Sequence, residues 1–192
     1  MHNLKPAFNH FKSLAAKHSL VPTYVEIPCD LETPVTAYLK LAGANPYGAL
    51  MESVEGGERF GRYSFIQVSS HARFECVGRS VRKFEFGKEI LVENTDPFKE
   101  MRQYFESLNP ATLSALPRFC GGAVGMMGYD MVRHIEKLPL LIAPDLNLPD
   151  AVLLFTDECV VFDHWKQTMI LIKWNRIPPM GKSDLKTITC QF

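Results

Sequence analysis

The stretch from residue 48 to 92 constrains this chain more than any other, because its pattern changes direction too often to be helical. GALMESV, RYSFIQVS, ARFECVG, SVRKFEFG and EILVE are short runs rich in β-branched and aromatic residues, and Gly56-Gly57 and further glycines punctuate them. Runs of this length and spacing read as short strands of an antiparallel meander. In SVRKFEFG the alternation of Val81, Lys83 and Glu85 against Arg82, Phe84 and Phe86 is imperfect, which fits an edge or half-exposed strand.

Helical periodicity surrounds that block. Residues 4 to 18 carry Leu4, Phe8, Phe11 and Leu14 or Ala15 at helical spacing, with Pro6 suited to a first turn. Val21 to Ile27 reads as a strand ending before Pro28. Thr33-Pro34 is a cap followed by a first-turn proline, opening a helix with Val35, Tyr38, Leu39 and Ala42 on one stripe and Gly43 at its end. Asp96-Pro97 opens another, with Phe98, Met101, Tyr104 or Phe105 and Leu108 on one face, and Asn109-Pro110 closes it. Further on, MVRHIEKL reads as a short helical stretch, and CVVFDH and TMILIKW flank a turn at Trp165 to Gln167 as a hairpin. Helices mixed with meandering strands, without a strict βαβ rhythm, predict an α+β fold with a mostly antiparallel sheet and flanking helices.

Charge and cysteine usage narrow the partners. The chain has 192 residues, 21 Lys+Arg and 21 Asp+Glu, so nothing electrostatic draws it to nucleic acid or to an anionic membrane. Five cysteines (Cys29, Cys76, Cys120, Cys159, Cys190) are odd in number and form no CxxC pair, which fits reduced thiols better than a disulfide framework or a zinc site. The six histidines are scattered without an HExxH, so no metal site is expected. No signal peptide or membrane span is readable, and the expected location is the cytoplasm.

Several motifs invite chemistry. Gly121, Gly122, Gly125 and Gly128 match neither GxGxxG nor GxxxxGK[ST]; glycines in an apolar strand serve instead for close approach of another backbone or a bulky side chain. Asp163-His164 with a serine would make a hydrolytic triad, but there is no GxSxG elbow and no reason in the sequence for the groups to converge. His164 is expected exposed or capping a turn. Tyr129-Asp130 with Arg133 and Glu136 reads as a surface ion-pair set. Leu50-Met51-Glu52-Ser53 is different in kind. An amino-acid zwitterion needs an acceptor for its ammonium, donors for its carboxylate and apolar walls. Glu52, Ser53 and Arg62 supply the polar groups, and Leu50, Met51 and Pro22 the walls. The residues by themselves favour a strand end with a Glu–Arg salt bridge.

A resemblance bears on that choice. LMESVEGGERFGRYSFI (50 to 66) resembles the LLES…GRYSFIG signature of anthranilate synthase component I, the large subunit of that enzyme. VPTYVEIPCDLETPVTAYLKL (21 to 41), FCGGAVGMMGYDMVRHIEKLP (119 to 139) and LPDAVLLFTDECVVFDH (148 to 164) agree with it in order. Met51 stands where the family has a second leucine, a near volume-conserving change. Met126-Met127 stands where the family commonly shows an aromatic. The related para-aminobenzoate synthase large subunit shares the glycine-rich block and usually lacks the Glu-Ser pair, so it ranks second.

The resemblance implies a subunit that converts chorismate to anthranilate with ammonia from a glutaminase subunit (component II), requires Mg²⁺, and is inhibited by L-tryptophan in the first step of tryptophan biosynthesis. It covers only the N-terminal region of such a subunit, residues 1–175 here, leaving 176–192 as a divergent tail and no counterpart of the chorismate-binding catalytic domain. No catalytic residue and no metal ligand is therefore expected in this chain, which is expected to be inactive alone. The role that carries over is tryptophan sensing, at Leu50, Met51, Glu52 and Ser53 with Pro22 and Arg62. The expected partners are tryptophan, the glutaminase subunit and the missing catalytic part. A stand-alone interaction module, or a fragment without ligand binding, is the rival expectation.

Overall fold

The computed structural model describes residues 3–55, 59–85, 87–138 and 148–178, without the side chains of residues 53–55, 59 and 60. Among them one eight-stranded sheet dominates, wholly antiparallel in its strand pairing. Its strands are β1 (Leu20–Pro28), β2 (Ala49–Glu55), β3 (Arg59–Val77), β4 (Ser80–Glu85), β5 (Lys88–Val92), β6 (Ala123–Met127), β7 (Ala151–Asp163) and β8 (Thr168–Arg176). Helices α1 (Phe8–Ala15), α2 (Pro34–Leu41) and α3 (Pro97–Leu108), and a 3-10 helix at Tyr129–His134, flank it. The expected α+β class with a mostly antiparallel sheet is the architecture observed.

Two strands organise everything else. RYSFIQVS and ARFECVG, expected as separate strands, are one continuous strand of 19 residues, β3. Neither Gly nor Pro separates them, and Ser69, Ser70 and His71 are absorbed into irregular pairing with β7 instead of a turn. One half of the β3–β7 pair carries β2 on one side and β8 with β1 on the other; the other half carries β4 and β5 on one side and β6 on the other.

The helix signals hold to differing extents. Thr33 caps α2 through a reciprocal box with Thr36, and Asp96 accepts from the Phe98 N–H at 3.0 Å to cap α3. Asn109 ends α3 in the left-handed region at φ 37°. The first helix is shorter than the periodicity of residues 4 to 18 predicts, because Lys5 exchanges backbone hydrogen bonds with Tyr24 of β1 and so cannot be helical. The expected Gly56-Gly57 turn, Phe86 and residues 179–192, with Cys190, lie outside the described residues. β8 runs through Arg176, and Ile177 is buried with its N–H on the Ser19 carbonyl.

Apolar burial divides among the three helices, and Phe11 and Ala15 of α1 pack with Val21, Ala111 and Ile177. Ala37 and Ala42 beside α2 pack with Ile66, Val160 and Phe162. Met101 and Leu108 of α3 pack with Phe74, Phe155, Val161 and Trp174 in the larger cluster. In the glycine-rich segment Gly121 and Gly125 serve close approach, as expected of glycines in an apolar strand, whereas Gly122 has open space around it and a φ of 104°. A Cβ on Gly121 would stand 2.2 Å from the Trp174 ring nitrogen, and one on Gly125 would stand 1.9 Å from the Val152 carbonyl oxygen. Among the described residues the cysteines are free, and burial pushes Cys76 up to about 11 and Cys159 up to about 12, so both act as small apolar groups.

The irregular stretch of β3 leaves His71 with both ring nitrogens enclosed and without a hydrogen-bond partner. Burial, with Arg176 nearby, lowers its pKa from 6.5 to about 4. Between those values the unfolded chain binds a proton at His71 that the folded chain refuses, so stability falls as pH drops through that window. The shift corresponds to about 3 kcal/mol, which partial exposure reduces to about 2 kcal/mol. Asp157, whose carboxyl burial raises, contributes with the opposite sign. Denaturant unfolding at pH 7 and pH 4.5 should therefore cost the wild type about 2 kcal/mol more than His71→Phe; equal losses would remove His71 as the cause.

Candidate functional site

The β7–β8 hairpin and the first half of β3 meet at one end of the sheet, and the polar residues gather there. Asp163, the last residue of β7, is 2% exposed. Its carboxylate accepts from Arg62 Nε at 3.2 Å and Nη2 at 2.8 Å, and Oδ1 also accepts the Trp165 and Lys166 backbone N–H groups, each at 3.2 Å. Burial alone would raise the Asp163 pKa, but the Arg62 and backbone hydrogen bonds outweigh it and hold the carboxyl below its ordinary range. Asp163 in turn keeps Arg62 protonated. The guanidinium also lies over the rings of Tyr63, at 4.8 Å, and Trp165, at 5.0 Å.

One step along the hairpin, His164 meets β3. Ser64 is 1% exposed, and its Oγ lies 2.7 Å from His164 Nε2. Register places Glu52 of β2 directly opposite Ser64, and the Ser64 hydroxyl donates to Glu52 Oε1 at 3.4 Å. A carboxylate, a hydroxyl and an imidazole thus follow one another from β2 through β3 to the start of the β7–β8 turn. Glu52 is exposed and Leu50, two residues earlier, is half-buried against the α2 cluster. Beside them a cleft of about 220 Å³ opens between the start of α2 and the hairpin, lined by Cys29, Thr33, Phe162, His164 and Gln167.

Each sequence-singled residue can now be placed. Leu50 and Glu52 share one face of β2, while strand alternation turns Met51 to the other face. Ser53 is on β2, its side chain outside the described residues. Arg62 is near Glu52 through Ser64, but its salt bridge is with Asp163 rather than with Glu52. Pro22, buried on β1 opposite Trp174, lies four strands from β2 along the sheet order, about 19 Å at ordinary strand spacing. The expectation that Asp163, His164 and a serine have no reason to converge needs correction in part. Ser64 and His164 do meet, because the antiparallel register sets Ser64 against Phe162, two residues before His164. Asp163, however, is spent on Arg62 and on the hairpin turn, which it caps in place of His164. The ion pair of Asp130 with Arg133 forms at 2.7 Å.

Chemically, this end of the sheet offers an accessible carboxylate backed by a hydroxyl, next to an apolar strand edge. That set can accept hydrogen bonds from an ammonium group. Of the Arg62 nitrogens, Nε and Nη2 are taken by Asp163. Among the described residues no three His, Cys, Asp or Glu side chains come together as a metal site, and no helix is long and apolar enough to cross a membrane.

No protein-family model matches the chain. Individual proteins do. Over 165 residues it is 34% identical to anthranilate synthase component 1 of Synechocystis sp., which covers 85% of this chain and 32% of the relative. The Pseudomonas putida protein of the same name is 39% identical over 153 residues, 78% of this chain and 31% of that one. A probable anthranilate synthase component 1 of Schizosaccharomyces pombe is 36% identical over 172 residues, 87% of this chain and 32% of that one. The crystal structure of anthranilate synthase component I from Streptococcus pneumoniae shares the fold, with a TM-score of 0.50 at 21% identity, covering 84% of this chain and 34% of that one. The chain spans about a third of the length of the curated relatives it matches.

Proposed function

The chain belongs to the anthranilate synthase component 1 family over about a third of its members' length, and from that we propose that it is the family's tryptophan-sensing part, regulatory rather than catalytic. The observation that carries this reading is the exposed Glu52 carboxylate, backed at 3.4 Å by the Ser64 hydroxyl and flanked on its own strand face by Leu50. In this reading the amino-acid ammonium sits on Glu52, Leu50 takes one face of the indole, and Ser53 follows them on β2. The Arg62–Asp163 pair holds the hairpin in place beside it. Conversion of chorismate and ammonia to anthranilate, with its Mg²⁺, belongs to a separate catalytic part, and a glutaminase subunit supplies the ammonia. Pro22, buried on β1, and Met51, on the opposite face of β2, are not part of this arrangement.

Isothermal titration of L-tryptophan into the 192-residue protein tests the reading. Saturable heat is expected, weakened about tenfold in Glu52→Gln, the loss of one charge-assisted hydrogen bond. No heat, or equal affinity in the variant, overturns the assignment of Glu52.

A further inference from the structure

A second cavity, of about 210 Å³, lies on the other half of the fold, between the C-terminal end of α3, the start of β1 and the loop before β6. Its walls are apolar: Leu20, Phe105, Leu108 and Trp174. Trp174 is held rigidly, since its ring N–H donates to the Cys120 carbonyl at 2.7 Å and Gly121 packs against the ring too closely for any side chain. The charged group at the cavity is Arg118, an exposed side chain with no ion pair among the described residues. The unpartnered imidazole of His71 forms part of the wall.

We propose that this cavity binds a small aromatic monocarboxylate, its ring against Phe105, Leu108 and Trp174 and its carboxylate on Arg118. Size supports a single ring, because an apolar cavity of about 150 Å³ already accepts benzene. Chemistry supports the carboxylate, since a guanidinium without an acid partner presents the fork that carboxylates match. His71 is kept neutral by burial and by Arg176, with Tyr104 stacked on it. It therefore adds no second charge to the empty cavity, and it gains a reason to protonate once an anion enters.

Sodium benzoate is the probe. The chain has two tryptophans, and Trp165→Phe removes the exposed one at the hairpin, so the remaining fluorescence reports Trp174. Benzoate should quench it saturably, with half-saturation at about 1 mM or below. Arg118→Gln should weaken benzoate at least about tenfold while leaving benzyl alcohol unchanged. The His71 ring resonances should titrate about one pH unit higher, or more, at saturating benzoate. Quenching that stays linear to about 20 mM overturns the site. Saturable binding of benzoate that Arg118→Gln does not weaken, or that leaves His71 titrating as before, overturns the placement.

Discussion

Replacing Phe155 by alanine should destabilise the protein by about 4 kcal/mol, the largest loss expected from any single truncation of its core. Phe155 is fully buried on β7. Its ring centroid lies 5.0 Å from Phe74, 4.5 Å from Tyr104 in a T-shaped pair and 5.0 Å from Phe105. Phe74 belongs to β3 and the other two to α3, so this one ring joins helix to sheet. Truncation loses the transfer energy of the ring and three aromatic contacts, and it leaves a void that a rigid two-strand core cannot collapse into. Denaturant unfolding followed by circular dichroism should show the midpoint falling with an unchanged slope. A loss below about 1.5 kcal/mol would mean that α3 re-seats itself on the sheet.

The second large effect is expected from a single added methyl group. Gly125 of β6 pairs with Leu153 of β7, and a Cβ there would sit 1.9 Å from the Val152 carbonyl oxygen and 2.9 Å from its carbon. These are backbone atoms of the neighbouring strand, so no side-chain rotation relieves the clash and β6 has to lift away. Gly125→Ala should cost about 3 kcal/mol, at the upper end for overpacking. Hydrogen exchange should localise the damage: amides of β6 and their β7 partners lose protection while the β1–β8 pair keeps it. Uniform loss across the sheet would show that β6 is not separable from the rest.

Which parts of this molecule could be read from its sequence follows from the range of the interactions involved. The α2 cap depends on Thr33 and Thr36, three residues apart, and the α3 cap on Asp96 and Phe98, two apart; both were legible. So was the β7–β8 hairpin, whose strands are adjacent in the chain. The union of two expected strands into β3 was not, because the pairing that carries it through Ser69 to His71 comes from β7, nearly ninety residues later. The candidate site divides along the same line. Leu50, Glu52 and Arg62 could be singled out from local chemistry, whereas Ser64–His164 and Arg62–Asp163 join positions 100 and 101 apart. A signal did exist: Ser64 is two residues from Arg62 in an alternating strand, which put its side chain on the Arg62 side and made it a candidate neighbour of whatever Arg62 met. The aromatic-carboxylate cavity left no trace in the sequence at all, since its six principal residues come from five separate segments.

The β1–β8 pairing has a consequence for how this protein is made. Asn175 of β8 hydrogen-bonds back to the Val21 carbonyl, 154 positions earlier, and every residue of β1 from Leu20 to Pro28 has its sheet partner on β8. At a ribosomal pace of about ten residues per second, β1 waits roughly fifteen seconds after it emerges before its partner strand exists. During that interval its first cover is the segment before it, where Phe11 and Ala15 pack on Val21 and Lys5 pairs with Tyr24, in a topology that closes slowly because its last contacts are so distant in the chain. Holding that nascent strand out of aggregation falls to whatever greets the polypeptide at the tunnel exit, so yield in a cell should respond to chaperone supply more than to the stability of the finished fold.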